Sequence, residues 1–147
     1  MEKLRVLNSR EVRDLLAVLN QQFGFKDRLD YVFLANEKSR IFLTNRDFSR
    51  LDLKRLRINS VGLYFGELKD DKLRVSIEGS QLVGPKSTKN VVDVTEQEMV
   101  SWLRGNDLDK HADGFVILRH KSSYLGCGRA KDGRIINFVP KTRRINI

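Results

Sequence analysis

The chain opens on a helical pattern. Asn8 stands three positions ahead of Glu11, an arrangement in which each side chain can satisfy a free N–H at a helix start, and Leu7 and Val12 are spaced as a staple across it. Val12, Leu15, Leu16 and Leu19 recur at helical spacing with Phe23 close behind, which predicts a helix to about Gln22, ended by Gly24. The pattern then shortens. Residues 31–35 (YVFLA) and 40–44 (RIFLT) flank the polar NEKS and predict a hairpin. Residues 45–56 carry Phe48, Leu51 and Leu56 at the spacing of a short helix, with Leu53 out of phase. Residues 61–68 and 73–78 form a second pair around KDDK, with Leu73, Val75 and Ile77 alternating with Arg74, Ser76 and Glu78 as in a strand with one wet face. Residues 79–89, which hold Gly84-Pro85, read as a boundary.

Beyond it, residues 91–94 predict a strand, and Thr95 to Glu98 repeats the capping box, with Val94 and Met99 as its staple. Met99, Val100 and Leu103 give this helix an apolar side, and Arg104-Gly105-Asn106 stops it after about two turns. Residues 115–118, 124–130 and 134–139 follow as strands joined by Lys121-Ser122-Ser123 and Lys131-Asp132-Gly133, with Pro140 ending the last. The expected fold is α+β. An N-terminal α/β domain with a mainly antiparallel sheet spans 1–87, and a small curled or partly closed β-barrel spans 88–147, a segment too short for a large open sheet.

Composition narrows the class. With 40% hydrophobic and 32% charged residues in 147, the chain reads as folded and soluble. No apolar run approaches the roughly 20 residues that cross a bilayer, and the first residues lack a signal-peptide core, so the expected location is cytoplasmic. The formal charge is +9. Much of it is placed late: residues 119–147 hold eight Lys or Arg against Asp132 alone. Arg50, Lys54, Arg55 and Arg57 form a second basic stretch, while the acids lie mostly between 67 and 113. That asymmetry predicts an anionic partner.

Candidate chemistry adds binding and little catalysis. Gly126 and Gly128 are one strand period apart, which leaves two readings open: a bulge that bends the strand, or a face shallow enough for close approach of a partner. Cys127 is the one cysteine, has no partner for a disulfide, and fits an inert buried thiol. His111 and His120 lie in charged surroundings without a ligand-like pattern, and Asp70-Asp71 fits a solvated hairpin turn. There is no GxxxxGK, GxGxxG, HExxH or GxSxG motif, so no enzyme, cofactor or metal is expected. Lys121, Arg129, Lys141, Arg143 and Arg144 are the candidate phosphate contacts. Tyr124 and Phe138 fit either core or base-stacking roles, and Trp102 fits packing between elements.

The stretch GFVILRHKSSYLGCGRAKDGRIINFVPKTRRI, residues 114–145, resembles the C-terminal part of a PUA domain, an RNA-binding fold. The form is similar to that in Sun-family RNA cytosine-C5 methyltransferases. Leu103-Arg104-Gly105 looks like their LRG, YLGCG like their aromatic-x-Leu-Gly-x-Gly strand, and NFVPKTRR like their N-aromatic-x-P-K tail. The methyltransferases' nucleotide-binding domain and catalytic cysteines have no counterpart here, so methylation by this chain is not expected. The whole chain also resembles the two-domain ribosome-assembly factors of archaea and eukaryotes, through VGLYFGELKDDKLRVSIEGSQLV at 61–83 and, more loosely, YVFLANEKSRIFLTNRDFSRL at 31–51. This resemblance implies a non-enzymatic RNA-binding protein in rRNA processing or large-subunit assembly. Its RNA contacts would fall on Lys121, Arg129, Lys141, Arg143 and Arg144, with Gly126 and Gly128 admitting the RNA closely. The partners would be rRNA or pre-rRNA, with tRNA as an alternative, and other assembly or modification proteins. A second function carried alongside is an accessory subunit that delivers RNA to a modification enzyme such as a methyltransferase.

Overall fold

The structure, a computed structural model, describes residues 3–46 and 62–146. The helix expected over 45–56 and the basic stretch Arg50 to Arg57 lie outside the described residues, apart from Asn45 and Arg46.

The first sheet is an antiparallel meander of β1 (Arg5–Val6), β2 (Val32–Ala35), β3 (Arg40–Thr44), β4 (Leu63–Lys69) and β5 (Lys72–Val75), paired in that order. Helix α1 (Ser9–Phe23) joins β1 to β2. Both halves of its capping box form: Glu11 N–H donates to Asn8 Oδ1 at 2.9 Å, and Asn8 N–H donates to Glu11 Oε1 at 3.1 Å. Gly24 ends the helix at φ 66°, a left-handed conformation that costs glycine little. Leu15, Leu19 and Phe23 are buried against Phe33, Ile41, Leu43, Phe65 and Leu73 of the sheet. β5 is an edge strand, and Gln22 of α1 covers that edge. Its Nε2 donates to the Leu73 carbonyl at 2.9 Å and its Oε1 accepts from Leu73 N–H at 2.6 Å, so a buried amide does the work of a neighbouring strand.

The alternation at 73–78 predicts a strand through Glu78, but β5 stops at Val75. Ser76 instead caps α2 (Ile77–Val83), accepting from Gly79 N–H at 2.8 Å and donating to the Tyr64 carbonyl at 2.5 Å. A 3-10 turn, Gly84–Lys86, follows. Residues 79–86 of the expected boundary stretch are therefore helical. Ser80 of α2 accepts from Gly126 N–H at 2.9 Å. The next residues dock on the end of α1: Thr88 N–H and Lys89 N–H both donate to the Phe23 carbonyl, at 2.8 and 3.1 Å, and Asn90 Nδ2 donates to the Gln22 carbonyl at 2.5 Å. The last carbonyls of α1, which the helix itself leaves unpaired, thus hold the entry to the second sheet.

That sheet has the order β6 (Val91–Asp93), β8 (Gly114–His120), β9 (Ser123–Lys131), β10 (Arg134–Ile136) and β7 (Leu108–Asp109). β6 and β8 run parallel, and the other pairs are antiparallel. Of the two forms expected, this order fits the partly closed one: among the described residues β6 and β7 do not pair. Helix α3 (Glu96–Leu103) connects these two edge strands, and its Trp102, fully buried, packs with Val116, Leu118 and Ile135 on one face of the sheet. The Trp102 indole N–H donates to the Leu125 carbonyl at 2.9 Å. The opposite face joins the first core: Ile117 and Cys127 belong to the same buried cluster as Phe65 and Val83. The whole is an α+β fold whose two sheets share apolar packing. Among the described residues no helix is long and apolar enough to cross a membrane.

Candidate nucleic-acid interface

The two glycines of YLGCG turn inward. In β9 Leu125 and Gly126 stand opposite Leu118 alone, since Ile117 faces Cys127 and Arg119 faces Tyr124. Gly126, at φ 96°, takes up this bulge, and a Cβ there would lie 3.3 Å from Ile77 Cγ1. A Cβ at Gly128 would lie 2.4 Å from Ile135 Cγ2 and 2.7 Å from Trp102 Cη2. The close approach on that side of Gly128 is therefore made by Ile135 and the indole. At Gly126 bulge and close neighbour coexist, and its remaining open side borders a cleft. Cys127 lies between them on the other face, fully buried, and burial pushes its thiol pKa up to about 12.

The basic candidates separate into groups. Lys121 sits in the exposed β8–β9 turn at φ 54°, while Arg129 lies near the other end of β9, roughly 20 Å along the strand from its first residue at about 3.3 Å per residue. Lys141 and Arg143 occupy a terminal 3-10 turn, Lys141–Arg143. Lys121, Arg129 and Lys141 make no ion pair among the described residues. Arg143 pairs with Glu78 of α2. Arg144 folds back, donating from Nε to the Val139 carbonyl at 3.1 Å and lying against Gly105. Two other cations of the C-terminal excess are also engaged: Arg119 with Asp93 at 2.7 Å, and Arg134 with Asp107 at 3.4 Å. The Asp93 carboxylate accepts from Arg119, which holds its pKa below the usual aspartate range. The excess of charge is thus one continuous patch only in sequence.

The tail is positioned by Asn137. Its Nδ2 donates to the carbonyls of Trp102 at 2.7 Å and Asn106 at 2.9 Å, closing the end of α3, and its Oδ1 accepts from Val139 N–H at 2.7 Å. The next residue, Phe138, is thereby turned into a cleft between the sheets. Its ring stacks on Phe115 with centroids 6.4 Å apart, and the Arg74 guanidinium of β5 lies 4.4 Å from its centroid. Glu67 on β4 fixes Arg74 at 2.9 Å. The cleft has a volume of about 520 Å³, within the ~300–1,000 Å³ typical of ligand sites. Lys69, Lys72 and Arg129 stand on its rim with Asp70 and Asp113. A second cleft of about 290 Å³ shares Arg74 and Phe138 and reaches Arg40 and Arg143. Of the candidates from sequence, Arg129 lines the first cleft, and Gly126 and Arg143 line the second. Arg40, Lys69, Lys72 and Arg74 come from the first domain and were not expected. Their only signal in the sequence was the position of Lys69 and Lys72 on either side of a two-aspartate turn.

No curated protein matches the chain. Residues 89–145 match the family described as the methyltransferase RsmF PUA domain. The match begins where the chain docks on α1 and ends in the tail after the terminal 3-10 turn, so it takes in the whole second sheet, α3 and the Asn137 clamp. The chain therefore carries, over residues 89–145, a PUA domain of the kind found in the tails of Sun-family methyltransferases, and a PUA domain is an RNA-binding module.

Proposed function

We propose that the protein is a non-enzymatic, cytoplasmic RNA-binding protein that acts in rRNA processing or large ribosomal subunit assembly, with a protein- or RNA-facing domain at 1–87 and the PUA-type domain at 88–147. The observation that carries RNA binding is the family match over 89–145. The ribosomal role is supported by the resemblance of residues 61–83 to the strand pair of two-domain assembly factors. The strand pair is β4–β5, and α2 after it packs directly on β9, so the two parts present RNA with one joint surface. A chain without chemistry of its own accords with its one thiol, Cys127, which is buried and held protonated. Crosslinking the protein to RNA in cells and sequencing the attached fragments tests this reading. Pre-rRNA fragments are expected, and a set dominated by mRNA or tRNA would overturn the ribosomal assignment.

A second reading has its own support. The matched family is named for a methyltransferase, and this chain resembles only that enzyme's RNA-binding part. An accessory subunit that brings RNA to a separate modification enzyme would have this character. Purification from native extract separates the two: ribosomal precursors alone support assembly, and a stoichiometric enzyme supports delivery.

A further inference from the structure

The cleft between the sheets has an ordered stack in it. Phe115 supports Phe138, Phe138 supports the Arg74 guanidinium, and Glu67 holds that guanidinium in place. The Arg74 side chain keeps 39% of its surface exposed and borders the open space of both clefts. Unpaired bases stack on aromatic rings and on guanidinium planes of this sort. Around the stack, Lys69 and Lys72 from the first sheet and Arg129 from the second stand on the rim, with no ion pair among the described residues. A flat polarisable platform with these cations beside it, on a rim that also carries Asp70 and Asp113, matches the two halves of a nucleotide. A simple inorganic anion would use the cations alone, and a greasy ligand would use the rings alone.

We propose that this cleft holds an unpaired nucleotide of the bound RNA, its base on Arg74 and the neighbouring phosphates at Lys69, Lys72 and Arg129. The inference rests on the RNA-binding reading and deepens it: the first domain becomes half of the RNA site, and single-stranded segments are preferred over duplex. Lysine in place of Arg74 keeps the charge and the partner Glu67 but removes the plane. Gln at Lys69 and Lys72 removes charge at an exposed turn and leaves the platform intact.

The test measures binding of a short fluorescent single-stranded RNA, and of the same strand annealed into a duplex, over a range of salt. Wild-type protein should favour the single strand. Arg74→Lys should weaken single-strand binding roughly 5- to 150-fold, the range for one stacked base, and leave duplex binding and the salt slope unchanged. Lys69→Gln/Lys72→Gln should weaken binding about 5-fold per lysine near 0.1 M salt and lower the slope by about 0.7 for each phosphate that is no longer neutralised. Lys3→Gln/Lys26→Gln, both exposed and neither lining either cleft, is the control of equal charge. Circular dichroism and urea midpoints confirm that each variant is folded. If the protein binds RNA but both cleft variants behave as the control does, the cleft proposal fails and RNA binding stands. If wild type binds neither probe better than an unrelated protein of equal charge, both fail. If free nucleoside monophosphates bind as tightly as the strand, the occupant is a free nucleotide and the proposal is overturned.

Discussion

At Gly128 the backbone lies so close to Trp102 and Ile135 that a single methyl group has nowhere to go. Gly128→Ala is expected to cost about 1–3 kcal/mol, as overpacking does, seen as a lower urea midpoint with RNA affinity of the folded protein unchanged. Cys127 next to it gives a second expectation. With its thiol pKa pushed up to about 12, it should resist iodoacetamide in native protein at mildly alkaline pH and react promptly once the chain is unfolded; rapid native labelling would contradict the packing described. The spacing of the two glycines was legible in the sequence, and the bend they permit was one of two readings. What filled the space was not, because Ile77 and Trp102 arrive from distant elements. Asn137 was equally silent: nothing local marks a side chain that closes a helix end more than thirty residues earlier in the chain.

At the scale of elements, the two helices with capping boxes, α1 and α3, were the most legible features, since each carries its start signal, its apolar spacing and its stop within one short window. Their caps also make stability depend on acid. Glu98 accepts from the Thr95 N–H and pairs with Lys110, which hold its pKa below the ordinary 4.5. A carboxylate depressed in the folded state contributes stability that is present above pH 4.5 and lost as pH falls through the folded value. Glu98→Gln keeps the acceptor but cannot titrate, so its stability should fall less steeply with acid below that pH; an identical acid profile would remove Glu98 from the account. α2 went unread because the alternation of Leu73, Val75 and Ile77 runs straight through Ser76, where the cap reverses the chain's course. The parallel pairing of β6 with β8 was unreadable for another reason. Twenty residues and a helix separate the partners, and their register is set by the fold around them.

For the whole molecule, the sequence located the positive charge along the chain but not in space. Carboxylates neutralise part of it, and of the cations without an ion pair among the described residues Lys69, Lys72 and Arg129 line the cleft where the two sheets meet, while Lys121 stands apart in the β8–β9 turn. Among the neutralised cations Arg143 is the clearest case, held by Glu78 across that junction. Glu78→Gln should release it, with a stability loss of about 0–1 kcal/mol for an exposed pair, tighter RNA binding and a salt slope steeper by about 0.7. Unchanged affinity would mean that Arg143 serves the junction alone. The most direct test of the account is the salt dependence of single-stranded RNA binding by the intact protein, measured beside an unrelated folded protein of the same net charge. The account predicts tighter binding than the comparison protein and log Kd rising linearly with log salt at a slope of about 2 or more, the value for three phosphate contacts at ~0.7 each. An affinity equal to that of the comparison protein would contradict it.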